Sequence, residues 1–255
     1  MAIPKIRAPI VLIHGLMGYD HIQIAPAWRW DYFRGIVHAL TQAGNRVLVP
    51  RLSRTSGIER RARQLKEFLD QHAPGDAVHA IAHSMGGLDA RYLITHLGMA
   101  HRVLSLTTIG TPHRGTPFAD WGIKRFGPLV APILNALRIP HDAFRDLTTS
   151  ACRAFNERTP DMPNVRYFSV AGRCEKSWLT LPWLLPYSMV QRAEGANDGV
   201  VSVSSASHGE WTEMWRGDHL NLINVPNHRA RHRGEWTDRT AHYANLVGRL
   251  TDYGF

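Results

Sequence analysis

Residues 77–92, AVHAIAHSMGGLDARY, place Ser84 at the junction of two patterns. The apolar run 77–82 predicts a strand buried on both faces, and residues 85–97 have the spacing of a helix. Ala82 lies two positions before the serine, and Gly86 lies two positions after it. Small residues are needed at both positions when a chain turns sharply from strand to helix, because larger side chains would collide with the neighbouring elements. The segment therefore predicts that Ser84 is held at the tip of a tight turn.

Strand and helix patterns alternate along the rest of the chain. The predicted strands are residues 9–15, 46–50, 103–109, 165–171 and 210–215, and the predicted helices are residues 30–43, 58–72 and 241–250. This alternation predicts the α/β class, with a mostly parallel central sheet and helices on both faces. With 255 residues the chain is long enough for one large domain, and we expect one over residues 1–255.

The stretch from residue 115 to residue 164 interrupts this alternation. Its pattern is mostly helical, and we expect Pro128, Pro132 and Pro140 to break the helices. We interpret it as a cap or lid insertion, with residues 128–137 as an amphipathic lid candidate. A second apolar segment, residues 177–190 with its Trp- and Leu-rich part at 178–186, is a candidate to line an acyl pocket or to contact a membrane surface. The alternative for both segments is core packing of a cap over the sheet.

A serine between a strand and a helix can be simply a helix N-cap, so Ser84 needs partners before it indicates chemistry. The first partner is the loop formed by His14, Gly15 and Leu16 at the end of the first predicted strand. We expect the backbone N–H groups of Leu16 and Met85 to form an oxyanion hole. The same loop is also compatible with an ordinary glycine turn.

The other two partners come late in the chain. Asp198 lies in the turn Asn-Asp-Gly after the fifth predicted strand, and His219 follows the last one. The order serine, aspartate, histidine predicts Ser84 as nucleophile, His219 as general base and Asp198 as the acid that orients it. Asn-Asp-Gly is also a plain turn sequence, and one histidine among 15 is weak evidence alone. Four further residues adjoin the motifs and are expected to support the site: His14, Gly15, His83 and Gly86.

As a set, several segments resemble the bacterial family I triacylglycerol lipases. These segments are PIVLIHGLMG at 9–18, AHSMGGLDARY at 82–92, TTIGTPHRG at 107–115, ANDG at 196–199, DHL at 218–220 and AHYANL at 241–246. The resemblance implies the α/β-hydrolase fold and hydrolysis of carboxylic esters through an acyl-enzyme on Ser84. It implies the same triad and the same oxyanion hole, and the chemistry requires no metal or organic cofactor.

The chain departs from that family at three places. Asn221 stands where the family has an aspartate that helps to hold a structural calcium, and no aspartate lies between Asp161 and Asp198. Because calcium needs several hard oxygen ligands, we expect no calcium site. Ser204 stands where the secreted members have one cysteine of their disulfide, and Ala82 replaces the first glycine of the usual serine motif.

Net charge, cysteine count and the first residues of the chain limit the possible partners, disulfides and compartment of the protein. The formal net charge is +9, with arginines grouped at 51, 54, 60, 61 and 63 and again at 229, 231 and 233. We interpret these groups as solvated faces, since no aromatic-interleaved basic motif or zinc ligand set supports nucleic-acid binding. The two cysteines, Cys152 and Cys174, are too few for a disulfide framework. The first residues lack a signal-peptide core, which predicts a cytoplasmic protein as written, or a secreted one if the chain is a mature form.

The expected partner is an acyl ester or a lipid, with a peripheral contact to a lipid surface. Two other functions remain open at this point. The same triad serves an acyltransferase that passes the acyl group to an alcohol other than water. A binding module without catalysis, on the same fold, is the second.

Overall fold

The computed structural model describes residues 3–16, 21–25, 28–136 and 142–255. Eight strands lie in these ranges: β1 (Ile10–Ile13), β2 (His21–Ala25), β3 (Trp28–Asp31), β4 (Val47–Leu48), β5 (Val78–His83), β6 (Val103–Ile109), β7 (Arg166–Arg173) and β8 (Trp211–Arg216). The same ranges hold ten helices: α1 (Ile36–Gln42), α2 (Ile58–His72), α3 (Gly86–His96), α4 (Pro117–Ala136), α5 (Asp142–Asp146), α6 (Thr149–Arg158), α7 (Leu181–Glu194), α8 (Val203–Ala206), α9 (His228–His232) and α10 (Thr240–Asp252).

Six of the strands form one sheet, in the order β4-β1-β5-β6-β7-β8. Every neighbouring pair in it is parallel. Each residue of β1 and β5 is buried, which explains why both strands are continuous apolar runs rather than alternating ones. Parallel pairing also brings the carboxyl ends of these strands to the same edge, where loops carry functional groups.

Helices cover both faces of this sheet, as the sequence predicts. On one face, α1 and α10 pack against strand residues such as Leu12 and Ile81. On the other face, α2 and α3 pack against residues such as Val11 and Ala80. Adjacent residues of one strand thus point into opposite cores, and a doubly wound α/β arrangement follows.

The prediction of a helix over residues 30–43 is wrong in its first part. Trp30 lies in β3, which pairs antiparallel with β2 in a separate two-stranded sheet. The helix α1 begins only at Ile36, after Gly35 adopts a φ of 72°, a conformation that glycine reaches without steric cost. Apolar residues before that glycine match the helical spacing by coincidence.

The insertion is helical, as predicted, and contains α4, α5 and α6. The expectation that Pro128 and Pro132 break it is wrong, because α4 runs through both to Ala136. Their spacing of four places the two missing N–H groups on one side of the helix, so the other side keeps its ladder of hydrogen bonds. Pro140 and the end of the lid candidate, Leu137, lie outside the described residues. Among those described, no helix is both long and apolar enough to span a membrane.

Arg61 corrects the interpretation of its arginine group as a solvated face. Its guanidinium is fully buried and donates from Nε to the equally buried Asp89 carboxylate at 2.8 Å. It also donates from Nη2 to the backbone carbonyl of His14 at 2.7 Å. Arg60 and Arg63, by contrast, are exposed. Arg61 therefore ties α2 and α3 to the end of β1.

His79 generates a prediction about stability and pH. It is buried on β5, with its ring Nδ1 2.8 Å from the Ser105 hydroxyl. Burial disfavours the imidazolium and lowers the pKa of His79 from 6.5 to about 4. The unfolded chain therefore binds this proton first, so stability is complete above pH 6.5 and is lost as pH falls toward 4. The slope for one proton is about 1.4 kcal/mol per pH unit.

Between pH 6.5 and pH 4, we expect the unfolding free energy of His79→Gln to fall less steeply than that of the unsubstituted chain. The difference in slope is up to about 1.4 kcal/mol per pH unit. Urea unfolding at several pH values measures it, and the slope is independent of any constant loss from repacking. His101→Gln, at an exposed histidine, is the matched control and should leave the slope unchanged. Equal slopes for His79→Gln and the unsubstituted chain would contradict the prediction.

Candidate active site

Ser84 stands directly after β5 in a strained backbone conformation. Its φ is 56°, one of two positive values among the described residues other than glycine. The turn is crowded: a Cβ on Gly15 would lie 2.6 Å from the Ser84 Cβ, and one on Gly86 would lie 2.8 Å from the His14 carbonyl oxygen. Glycine is therefore required at both positions. For Gly86 this agrees with the small residue that the sequence pattern predicts two positions after the serine. The strain holds the serine side chain at the carboxyl edge of the sheet.

Ala82, in place of the usual glycine, fits the same turn. It lies in β5 between Ile13 of β1 and Thr108 of β6. Its methyl group is fully buried in the core under α2 and α3. The strand therefore has room for one methyl group at this position.

His219 lies in the loop after β8, with its ring between Ser84 and Asp198. The His219 Nε2 is 3.0 Å from the Ser84 Oγ, and the His219 Nδ1 is 2.7 Å from the Asp198 Oδ2. An ionised carboxylate only accepts, so the proton of a neutral imidazole belongs on Nδ1. The Nε2 lone pair is then directed at the serine hydroxyl. Three residues separated by up to 135 positions in the sequence thus form one hydrogen-bonded line.

The segment between α7 and α8 fixes the orientation of Asp198. Its Oδ1 accepts hydrogen bonds from the N–H groups of Val200 at 3.0 Å and Val201 at 2.8 Å. The Asp198 backbone carbonyl accepts from the His219 N–H at 2.8 Å. With one carboxylate oxygen held by the backbone, the other is directed at the His219 ring. The turn sequence and the orienting role are therefore compatible, since the turn supplies the N–H groups.

Leu16 and Met85 flank the serine from two sides. Met85 directly follows Ser84 and caps the N-terminus of α3. Leu16 directly follows Gly15, which packs against the Ser84 Cβ. No described residue accepts a hydrogen bond from either N–H. Both donors are thus adjacent to the serine in the places that the sequence predicts for an oxyanion hole.

His14 is one of the supporting residues and shapes the loop after β1. Its Nδ1 donates to the Gly15 carbonyl at 2.8 Å, and its Nε2 accepts from the Leu52 N–H at 3.1 Å. Arg61 holds the His14 carbonyl. His83, the other supporting histidine, is completely buried against the His219 ring, with 4.5 Å between ring centroids.

Sequence reasoning missed Tyr32. Its hydroxyl accepts from the Gly15 N–H at 2.9 Å and lies 2.7 Å from the His83 Nδ1. Tyr32 falls inside the stretch predicted as a helix, and no spacing in the sequence connects it to the serine. Only the fold brings it beneath the loop of Gly15.

An apolar cavity of about 300 Å³ opens beside His219. Its apolar lining consists of Trp178, Leu179, Trp183, Leu220, Val225 and Pro226. Trp178 and Leu179 are also buried in a small core with α9. The apolar segment at 178–186 therefore contributes both to core packing and to the lining of this cavity.

Asn221 and the two cysteines are buried, and their surroundings bear on the expected lack of calcium and of a disulfide. Asn221 donates from Nδ2 to the Val225 carbonyl at 2.5 Å and accepts at Oδ1 from the Asp218 N–H at 3.3 Å. Its side chain thus holds the His219 loop directly. Cys152 and Cys174 are both buried free thiols. The absence of calcium stays a prediction.

Comparison with known sequences shows to which family the chain belongs. The model of the alpha/beta hydrolase family matches residues 10–192. Triacylglycerol lipase 2 of Saccharomyces cerevisiae is 32% identical over 87% of this chain and 81% of its own length. The triacylglycerol lipase of Pseudomonas fragi is 30% identical over 97% of both chains.

Solved structures agree. A Bacillus licheniformis lipase in its mature form is 26% identical, with a TM-score of 0.66 over 85% of this chain and 86% of that one. The Staphylococcus hyicus lipase shares the fold, with a TM-score of 0.72 over 98% and 96% of the two chains at 19% identity. The resemblance read from the sequence motifs is therefore confirmed. The chain belongs to the alpha/beta hydrolase family, among its lipases and esterases, and is a carboxylic-ester hydrolase.

Proposed function

We propose that Ser84, His219 and Asp198 are the catalytic triad of this hydrolase and that its substrate is an acyl ester with a substantial apolar part. The observation that carries the proposal is the 3.0 Å separation of the Ser84 Oγ from the His219 Nε2, with Asp198 on the other ring nitrogen. A nucleophile, a base and an orienting acid within hydrogen-bond distance are what acyl transfer requires.

The reaction proceeds in two halves. The Ser84 Oγ attacks the ester carbonyl carbon while His219 takes the hydroxyl proton, and the N–H groups of Leu16 and Met85 bind the resulting oxyanion. His219 then gives the proton to the leaving alcohol, which departs as the acyl-enzyme forms. Water attacks the acyl-enzyme by the same route, and Ser84 is regenerated with release of the acid. Each oxyanion donor is typically worth about 10²–10³ in turnover.

The cavity beside His219 supports a lipid-like substrate. Six of the twelve residues that line it are tryptophan, leucine, valine or proline, and the polar remainder includes Asp218 and Arg229. Its volume of about 300 Å³ suits part of an acyl chain or an apolar alcohol. The related triacylglycerol lipases make acylglycerols the first substrates to assay. Residues 128–137 remain the proposed lid.

The serine role is tested by Ser84→Ala. We expect this variant to lose labelling by a fluorophosphonate and to lose hydrolysis of p-nitrophenyl butyrate by at least about 10³-fold, since among the described residues the Ser84 hydroxyl is the nucleophile within hydrogen-bond distance of the His219 Nε2. Ser207→Ala, a serine whose hydroxyl donates within its own helix turn, is the matched control. Labelling that persists in Ser84→Ala would refute the assignment.

Product analysis with added alcohol separates hydrolysis from acyl transfer. An ester of the added alcohol as main product would indicate the transferase.

Asp198→Asn tests the orienting role. The amide keeps the size of the side chain, but its oxygen stays with the Val200 and Val201 N–H groups. Its NH₂ then faces the His219 Nδ1 and favours the wrong imidazole tautomer. We expect kcat to fall by roughly 10³–10⁴-fold with little change in KM. Asn197→Asp, at the neighbouring turn position, would separate this effect from a general change in the loop. An Asp198→Asn variant within tenfold of normal kcat would contradict the role.

Peripheral contact with a lipid surface is a second part of the proposal. Phe126 on α4 and Leu185 on α7 are large apolar side chains that are 45% and 50% exposed. The two helices contact each other, and α7 also contributes Trp183 to the cavity. Lys124 and Arg125 are exposed beside Phe126. Apolar side chains flanked by cations suit the boundary of a lipid surface, close to the cavity.

We expect Leu185→Ser to weaken binding to phospholipid vesicles by about 10- to 100-fold, because burial of one leucine in lipid is worth roughly 1.5–3 kcal/mol. Hydrolysis of a soluble short-chain ester should not change. The control is Met214→Ser on the edge strand β8, where the methionine is 55% exposed. Sedimentation with vesicles measures the bound fraction. Equal losses in both variants would argue against a surface at α7.

A further inference from the structure

Two buried side chains with no part in the proposed chemistry, Tyr32 and His83, connect the two loops on which it depends. The Tyr32 hydroxyl accepts from the Gly15 N–H at 2.9 Å and is 2.7 Å from the His83 Nδ1. The other ring nitrogen, His83 Nε2, is 3.0 Å from the backbone carbonyl of His219. A continuous line of hydrogen bonds thus runs from the loop of Leu16 to the loop of His219.

Only one placement of protons satisfies every bond in this line. A carbonyl can only accept, so the His83 Nε2 carries a hydrogen and donates it to His219. The neutral ring then has a lone pair on Nδ1, which accepts the hydroxyl hydrogen of Tyr32. The tyrosine oxygen is left to accept from Gly15.

Burial keeps both groups in the required states. It lowers the pKa of His83 well below 6.5, so the imidazole is neutral, and a cation on the neighbouring His219 would lower it further. It also raises the pKa of Tyr32, so the phenol keeps its proton. The line is therefore formed across the whole neutral range of pH.

The position of this line matters because Ser84 lies between its two ends. Gly15 packs directly against the Ser84 Cβ, and the His83 ring lies against the His219 ring. Leu16 directly follows Gly15, so the bond to the Gly15 N–H constrains the direction of the next N–H in the chain. The bond to the His219 carbonyl constrains the residue that carries the base.

We propose that Tyr32 and His83 are positioning residues for ester hydrolysis, which fix the spacing between the Leu16 N–H and the His219 imidazole on either side of Ser84. This inference rests on the proposed triad. It differs from a purely structural role, in which the two side chains only satisfy buried backbone groups. Because misplacement of a catalytic group by about 1 Å can cost about 10²-fold in rate, the two roles predict different kinetics.

The test uses Tyr32→Phe and His83→Phe, which keep an aromatic ring and remove the hydrogen-bonding atoms. We expect kcat for p-nitrophenyl butyrate to fall by about 10- to 100-fold in each, with KM within about twofold. The rate of fluorophosphonate labelling should fall in parallel, because it depends on the same alignment. The kcat of the double variant should be no lower than that of the less active single variant, since either substitution breaks the same line of hydrogen bonds.

Tyr167→Phe is the matched control. The Tyr167 hydroxyl also accepts from a backbone N–H, that of Met162 at 3.1 Å, but it packs in the core under α2 and α3. The Tyr167→Phe substitution should lower the melting temperature without changing kcat. If Tyr32→Phe lowers only the melting temperature, or raises KM at constant kcat, the positioning role is overturned. Tyr32→Phe decides alone if His83→Phe does not fold.

Failure of this inference is distinguishable from failure of the proposed function. Loss of activity in Ser84→Ala together with normal kcat in Tyr32→Phe would reject the positioning role alone. Retained activity in Ser84→Ala would reject the triad, and with it the basis of the inference.

Discussion

The positive φ of Ser84 is the constraint on which the rest of the site depends. A residue with a Cβ is strained at a φ of 56°, and the cost is met only where the surroundings allow no other path. Here β5 is paired on both sides, by β1 and β6, and α3 begins two residues after the serine. The chain must reverse within those residues. Gly15 and Gly86 are glycines because the reversal brings other atoms to less than 3 Å from where their side chains would be.

From this turn the rest of the site follows by sheet order. The segment between α7 and α8 and the loop after β8 lie at the same edge as Ser84, where the carboxyl ends of the parallel strands meet. One supplies Asp198, whose Oδ1 is held by backbone N–H groups while its Oδ2 is hydrogen-bonded to His219. The other supplies His219. Buried polar groups such as Arg61 and His83 then hold the loops in place, and each has partners that satisfy it.

The local features were predictable from the sequence. The boundaries of α2 and β6 are those expected, because each is a long segment of uniform pattern between turn residues. Ser84 and its small neighbours were predictable because the steric demand of the turn acts within five residues. Asp198 and His219 could be proposed from their order in the chain. In a parallel sheet the carboxyl ends of successive strands meet at one edge, so residues that follow different strands come close together.

Features set by distant contacts were not predictable. β3 ends with Trp30 and Asp31, which begin the stretch whose spacing fits a helix, and only the pairing of β3 with β2 identifies them as strand residues. The buried pair of Arg61 and Asp89 joins residues 28 positions apart, and a cluster of arginines gives no sign of which one is buried. Tyr32 acts through His83, 51 positions away, so nothing near it in the sequence reveals its place.

Mass spectrometry of the acyl-enzyme tests the central claim most directly. A slowly deacylating ester is turned over, the reaction is quenched in acid, and the peptides are mapped. The account predicts that the acyl group is attached to Ser84 and that its amount follows the burst of released alcohol. An acyl group on another residue, or steady turnover without any covalent adduct, would contradict it.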